Sequence, residues 1–371
     1  MGTLRRESMH NIITCEQVSD GHPDKLCDQI SDAVVTDCLR HDPASRVAIE
    51  CLMKDDTVVI AGELTSAHAP DYKRLVADVF ERVGVGRLGY DMSSPKLIVL
   101  VKEQSMDISM GVDTGGAGDQ GMMYGYATTE TPELMPLPFM LATRFLQELK
   151  EYRGTMSWAF KADAKSQVSY DFSENRIDTF LCSVQHHPEV SAADIRPIIE
   201  MLMQKVADEY GLPLGFRTLV NPTGRFATGG PFADCGLTGR KLACDTYGGI
   251  GHIGGGAFSG KDPTKVDRSG AYMARLIARD VVLEGLADTC EVQLAYAIGV
   301  AEPVSVNVEC FGTEKEPESF IAEQITSRYD LTPKGIISSL GLRGVDYNLT
   351  SAFGHFGKPY LPWEQYKGGS R

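Results

Sequence analysis

Between Gly248 and Lys265 the chain reads GGIGHIGGGAFSGKDPTK, and seven of the thirteen residues from Gly248 to Gly260 are glycine. A packed core gains nothing from such a run, because glycine loses more backbone entropy on folding than any other residue and has no side chain to bury. The run makes sense where bare backbone must approach a ligand closely, and a polyphosphate is the usual ligand of that kind. Asp262 and Pro263 read as the N-cap and first residue of a helix that continues through Val266, Met273, Ile277 and Val281. Lys261 and Lys265 stand four apart near its start, where the helix dipole favours anions over lysines. An anion held between them resolves that opposition; a solvated loop is the alternative for this stretch taken alone.

The rest of the composition sharpens the point. The chain has 371 residues with 36 basic and 50 acidic side chains, a formal net charge of −14. That length implies a substantial core divided over two or three domains. The acidic balance argues against nucleic acid and anionic membrane surfaces as partners, and it makes any local basic cluster informative. The nine cysteines are scattered, with no CxxC pair, so a reducing cytoplasm is expected rather than a disulfide framework or thiolate metal site. There is no apolar signal core and no stretch of membrane-spanning length.

Taken in order, SDGHPDK at 19–25 leads into a helix from about Pro23 to Arg40 with one apolar face. His22, Asp24 and Lys25 gather at its start, either as caps or as ligands of a magnesium-bearing phosphate. A hairpin follows, Val47–Met53 and Thr57–Leu64, turning at Lys54-Asp55-Asp56. Alternation sets Glu50 opposite the apolar Val47, Ile49, Cys51 and Met53, and Glu63 lies near the end of the second strand. A helix over Asp71–Val83 and a buried strand, Lys96–Val101, complete the first unit. Residues 104–118 read as a glycine-rich mobile segment, a lid or a plain connector, before Asp119 begins an ordered element. Next come a helix over Leu137–Tyr152, a hairpin of Ser166–Phe172 and Arg176–Gln185, and a helix over Ala192–Tyr210 capped by Ser191. Asp163 and Lys165 fall just before that hairpin and suit a surface salt bridge or a nucleotide. Residues 221–241 mix five glycines with Arg225, Asp234, Arg240 and Lys241, which is loop chemistry. Leu242–Asp245 reads as a strand. The remainder supplies strands Glu291–Ile298 and Val304–Phe311, a helix near Pro317–Tyr329 and a polar C-terminus. Helices and strands alternate in three similar blocks, so three related α/β units are expected, although no repeat shows residue by residue.

The charged residues beside glycine form a cationic set, His22, Lys25, Lys165, Arg240, Lys241, Lys261 and Lys265, interleaved with Asp24, Asp119, Asp163, Asp234 and Asp267. A magnesium-laden polyphosphate needs both signs. Gly255–Lys261 fits GxxxxGK, yet Asp262 stands where a Walker A loop has the Ser or Thr that holds magnesium. An ordinary P-loop NTPase is a poor fit.

GHPDK at 21–25, GAGDQG at 116–121, DAKSQV at 163–168, NPTGRF at 221–226, DCGLTGRK at 234–241 and GGGAFSGKDPTKVDRS at 254–269 together resemble the S-adenosylmethionine synthetase family of the bacterial and eukaryotic type. The similarity runs from about Glu16 to Trp363. It implies three α/β domains with pseudo-threefold symmetry, divided near residues 1–105, 106–230 and 231–371, and a homodimer or homotetramer with active sites between subunits. It implies that ATP and L-methionine give S-adenosylmethionine, with the triphosphate cleaved to phosphate and pyrophosphate. By motif position His22, Lys165, Arg240, Lys241, Lys261 and Lys265 would serve the triphosphate. Asp163, Arg225, Phe226, Asp234 and Ala257 would join them around ATP. Glu63, Gln104, Asp119, Asp234 and Lys265 would surround methionine, and two magnesium ions would use Asp24 and Asp267 while one potassium ion used Glu50. Two departures fall in the lid: a short GVDTGG run at 111–116 and Met106 in place of a common proline. The rival expectations are a kinase or ligase with the same phosphate grip, and a non-catalytic nucleotide-binding subunit; nucleotide products separate them.

Overall fold

Three β-hairpins organise the computed structural model, which describes residues 11–85, 95–103 and 115–366. They are β2 (Arg46–Lys54) with β3 (Thr57–Thr65), β6 (Phe160–Asp171) with β7 (Arg176–His186), and β10 (Thr289–Tyr296) with β11 (Ser305–Glu309). The first two turn through Asp55 and Asn175, both at φ 50°, a conformation these two residue types tolerate.

Each hairpin gains an antiparallel edge strand from a different part of the chain. β1 (Ile12–Val18) lies along β6, β5 (Gly121–Thr128) along β10, and the two-residue β9 (Gly236–Leu237) along β2. The loans run in a circle: first third to second, second to third, third to first. Two sheets end on a parallel strand, β4 (Lys96–Lys102) beside β3 and β8 (Arg217–Val220) beside β7.

The helices keep the same order: α1 (Pro23–His41), α2 (Tyr72–Val83), α3 (Leu137–Thr155), α4 (Ala192–Glu209), the one-turn α5 (Leu242–Asp245), α6 (Val266–Leu283), α7 (Glu318–Arg328) and α8 (Pro333–Leu340). Each repeat is therefore a lent strand, a long helix (α1, α3 or α6), a hairpin and a second helix (α2, α4 or α7). This is the threefold repetition expected from the block pattern, and it resides in topology rather than in residue identity. In the third repeat α8 takes the place of the final parallel strand among the described residues.

Local signals account for most boundaries. Asp71 caps α2, accepting the Arg74 N–H at 3.0 Å, and Ser191 with Asp194 closes a capping box on α4. Several expectations need correction. The Pro23–Leu39 stretch of α1 is buried on every side, not on one face, because its polar side is sealed by the glycine loops described below. Leu242–Asp245 is helical, and Asp245 turns inward to Lys25. β4 is an exposed edge strand, with Leu100 61% exposed; its apolar face is left uncovered by the described residues. Asp163 and Lys165 lie within β6, not before it. The C-terminal region is core: Trp363 is fully buried and stacks on Tyr272 with ring centroids 3.6 Å apart. Gln104, Met106 and residues 111–114 of the short glycine run lie outside the described residues.

Candidate active site

Three aspartates on one face of α1, Asp24, Asp28 and Asp32, repeat every four residues, one helical turn apart. Each accepts a backbone N–H from a glycine-rich loop: Asp24 from Leu237 at 2.9 Å, Asp28 from Gly239 at 2.8 Å and Asp32 from Gly260 at 2.9 Å. Each also meets a cation: Lys241 lies 2.5 Å from Asp24, Lys25 lies 2.9 Å from Asp28, and Arg268 pairs with Asp32. The helix thus acts as a spine on which the two loops hang. The sequence reading missed Asp28, Asp32, Asp245 and Arg268; the four-residue spacing of the aspartates was the signal available.

At the N-terminus of α1, His22 is the cap, its Nδ1 accepting the Asp24 N–H at 3.2 Å. That bond leaves Nε2 as the hydrogen-bearing nitrogen. Burial first, then the charges of Lys241, Lys165 and Lys25, push the imidazole down to about 3, so His22 is a neutral donor. It is not part of a cationic set, as the residue type alone had suggested.

Asp163 in β6 lies within the electrostatic reach of Lys165, Asp234 and Asp24. Its Oδ2 accepts the Gly230 N–H at 2.8 Å, whereas Oδ1 is buried with no partner among the described residues. Burial raises its pKa to about 6, against the pull of the Gly230 bond and Lys165. Lys165, Asp234, Arg225 and Arg240 are exposed. Phe226 is half-buried, its backbone held to His186 by two bonds of 2.9 Å. Ala257 lies against Gly239, where an added Cβ would come within 2.5 Å of the Ala257 methyl.

A second set forms on the glycine loop itself. The loop extends the free edge of β2 beyond β9. The Ile49 N–H donates to the Gly260 carbonyl at 2.9 Å, the Asp262 N–H to the Val47 carbonyl at 3.0 Å, and the Val47 N–H to Asp262 Oδ2 at 2.7 Å. Gly260 sits at φ +84° with Ile49 O only 1.9 Å from where a Cβ would stand, so glycine is required. Asp262 is not the helix N-cap. It is fully buried, clamps β2 and pairs with Lys265, and α6 begins after Lys265. Lys261 lies 2.6 Å from Asp267 in the first turn of α6. Lys261, Lys265 and Asp267, with Glu63 of β3 and Asp119, line a cavity of about 350 Å³.

Among the described residues no hydrogen bond or ion pair joins the first set (His22, Asp24, Asp163, Lys165, Asp234, Lys241) to the second (Glu63, Asp119, Lys261, Lys265, Asp267). Glu50 belongs to neither. It is exposed on the outward face of the first sheet in a row with Ala61 and Leu100, and Glu63 is its diagonal neighbour, roughly 7–8 Å away.

Chemically, both sets offer paired lysine and aspartate beside glycine backbone, the combination that grips a polyphosphate and its divalent cation. The expected magnesium ligands fit that role. Asp24 and Asp267 are hard oxygen donors, each held by a lysine that a phosphate oxygen can take over. Glu50 stands apart from both sets: its cross-strand partner is Ala61 and, among the described residues, Glu63 is the carboxylate diagonal to it, which alone does not enclose a cation. Family models match the whole of this arrangement in order: S-adenosylmethionine synthetase, N-terminal domain, over residues 10–106, the central domain over 114–226 and the C-terminal domain over 228–365. The chain belongs to the S-adenosylmethionine synthetase family, membership that supports a methionine adenosyltransferase activity.

Proposed function

We propose that this protein joins ATP and L-methionine into S-adenosylmethionine and then hydrolyses the released triphosphate to phosphate and pyrophosphate. The observation that carries the reading is the two lysine–aspartate pairs, Lys241–Asp24 and Lys261–Asp267, each held against a glycine loop. A thioether has no proton to lose, so no general base is needed for attack on the ribose C5′. The sulfur lone pair forms the S–C bond as the C5′–O bond breaks and its electrons leave on the triphosphate. Alignment and stabilisation of that leaving charge must then supply the rate. Lys165, Arg240, Lys241, Lys261 and Lys265 meet the phosphate oxygens, and neutral His22 donates its Nε2 hydrogen to one of them. The orphaned Oδ1 of Asp163 accepts a hydrogen bond from the nucleotide, with Arg225, Phe226 and Ala257 at its adenosine end. Glu63, Asp119 and Asp234 receive the methionine ammonium group, as does Gln104 if it reaches the cavity. Magnesium held by Asp24 and Asp267 would neutralise phosphate charge in both steps.

We further infer a homo-oligomer in which the first set of one subunit faces the second set of its partner. That no bond joins the two sets among the described residues supports this, as does the exposed apolar face carrying Leu52 and Leu100. Such a contact would also complete any potassium shell at Glu50. All nine cysteines are free and no described helix is long and apolar enough to cross a membrane, which suits a cytoplasmic enzyme.

The test is a product analysis with ATP, methionine, Mg²⁺ and K⁺. Equimolar S-adenosylmethionine, phosphate and pyrophosphate are expected. Formation of ADP or AMP in place of the sulfonium would overturn the assignment and favour a kinase or ligase.

A further inference from the structure

At the far end of α1 from His22, roughly 28 Å away along 19 residues of helix, three side chains converge that the reaction does not use. Asp37 and His41 lie one turn apart on α1, and His68 reaches them from the loop between β3 and α2. Asp37 Oδ2 is 2.7 Å from His68 Nε2, and the His41 and His68 rings stack with centroids 4.0 Å apart and planes 13° apart. One ligand atom from each residue lies within 4.8 Å of the other two, the only such group of three among the described residues.

We propose that Asp37, His41 and His68 bind one transition-metal ion of the zinc class. Two imidazoles and a carboxylate are a borderline-soft set that suits Zn²⁺, Ni²⁺ or Cu²⁺ and not the magnesium of the phosphate site. Zinc–ligand bonds of about 2.0–2.1 Å place ligand atoms roughly 3.4 Å apart in a tetrahedron, so the Asp37–His68 pair at 2.7 Å parts slightly while the group, now within 4.8 Å, draws in around the ion. The framework is already set. Asp42 Oδ2 accepts the Ala67 N–H at 2.8 Å, Ser66 Oγ accepts the His68 N–H at 3.1 Å, and the Ser45 and Ser66 hydroxyls meet at 2.7 Å. These bonds fix the loop that carries His68 without help from an ion. Arg74 donates to Asp37 Oδ1 at 2.9 Å and orients the carboxylate, so that Oδ2 meets His68 while His41 Nδ1 lies 3.9 Å from Oδ1. Asp37 is nearly buried and His41 is 55% exposed, so the site opens to solvent on one side and leaves room for water or a fourth ligand. A bound ion would tie the end of α1 to the start of α2.

Chelator-stripped full-length protein should be titrated with Zn²⁺ by calorimetry in excess Mg²⁺, which keeps the phosphate-site carboxylates occupied. Wild type is expected to bind one more equivalent than His68→Ala or His41→Ala, and Asp24→Asn is expected to retain that equivalent. Zinc should raise the melting temperature of wild type and leave that of His68→Ala unmoved. Because His41 is half exposed, His41→Ala keeps the test valid should His68→Ala disturb its loop. The same zinc stoichiometry in wild type and His41→Ala, or no zinc bound by wild type in excess Mg²⁺, overturns the proposal.

Discussion

At the residue scale, Asp163 shows how a site is held against the preference of its own side chain. Its carboxyl is buried with one oxygen unpartnered, and its pKa rises to about 6. Raised above the unfolded value of 3.8, this group binds more protons folded than unfolded between those values. It therefore costs stability above pH 6, and the cost fades as pH falls towards 4. Asp163→Asn, which keeps an oxygen for the Gly230 N–H, should stabilise the protein at pH 7.5 by on the order of 1–3 kcal/mol. That gain should vanish near pH 4, while kcat/KM for ATP falls at neutral pH. Melting curves at the two pH values check the first part; equal or lower stability of the variant at pH 7.5 would contradict it. This residue was legible as a candidate, because Asp-Ala-Lys lies in a recognisable motif. Its burial was not, since the Gly230 loop that its carboxylate holds comes from a remote part of the chain. The same holds for His22: residue type suggests a cation, and its burial, then the charges of Lys241 and Lys165, make it neutral.

At the scale of elements, α1 links the fold to the chemistry. Its aspartates hold Leu237, Gly239 and Gly260, so the loops are as rigid as the helix they hang from. Asp32 is fully buried: it meets Gly260 N–H, Arg268 and Thr350, and Arg268 lies 4.3 Å over the Tyr347 ring. Asp32→Ala leaves a buried guanidinium without its carboxylate, which should cost about 3–5 kcal/mol. Guanidinium melts should show that loss, and an Asp32→Leu, Arg268→Met double variant should be less destabilised than the single one. A single variant as stable as wild type would mean the pair does not anchor the loop. The elements themselves were largely readable. Hairpins, caps and the periodic helices follow from local sequence, and the Asp71 and Ser191 starts fall within a residue of expectation. Failures occur where local sequence is silent. β4 reads as buried because an apolar strand looks the same whether its cover comes from this chain or from another. Asp262 before a proline reads as an N-cap, but β2 claims its carboxylate first. The short α5 has too few residues to show a period.

At the scale of the whole molecule, the circular loan of strands keeps the three repeats from separating. The threefold pattern of blocks was visible in sequence; which residues stand together was not, because charged residues among glycines carry no record of the face they reach. If sites form only between subunits, variants that damage different sets should complement each other. Lys165→Ala removes a cation from the first set and Lys261→Ala one from the second, and each alone should be nearly inactive. In a mixed pair, one site inherits both lesions and the other none. Random assembly from equal co-expression should therefore restore about a quarter of wild-type activity for an isologous dimer or a dimer of such dimers. Were each site complete within a single chain, every site in the mixture would carry one lesion, and activity would stay at the level of the separate variants. Steady-state assays on the co-purified mixture, tagged on both chains in separate preparations to verify pairing, distinguish the two arrangements without any assumption about the order of chemical steps.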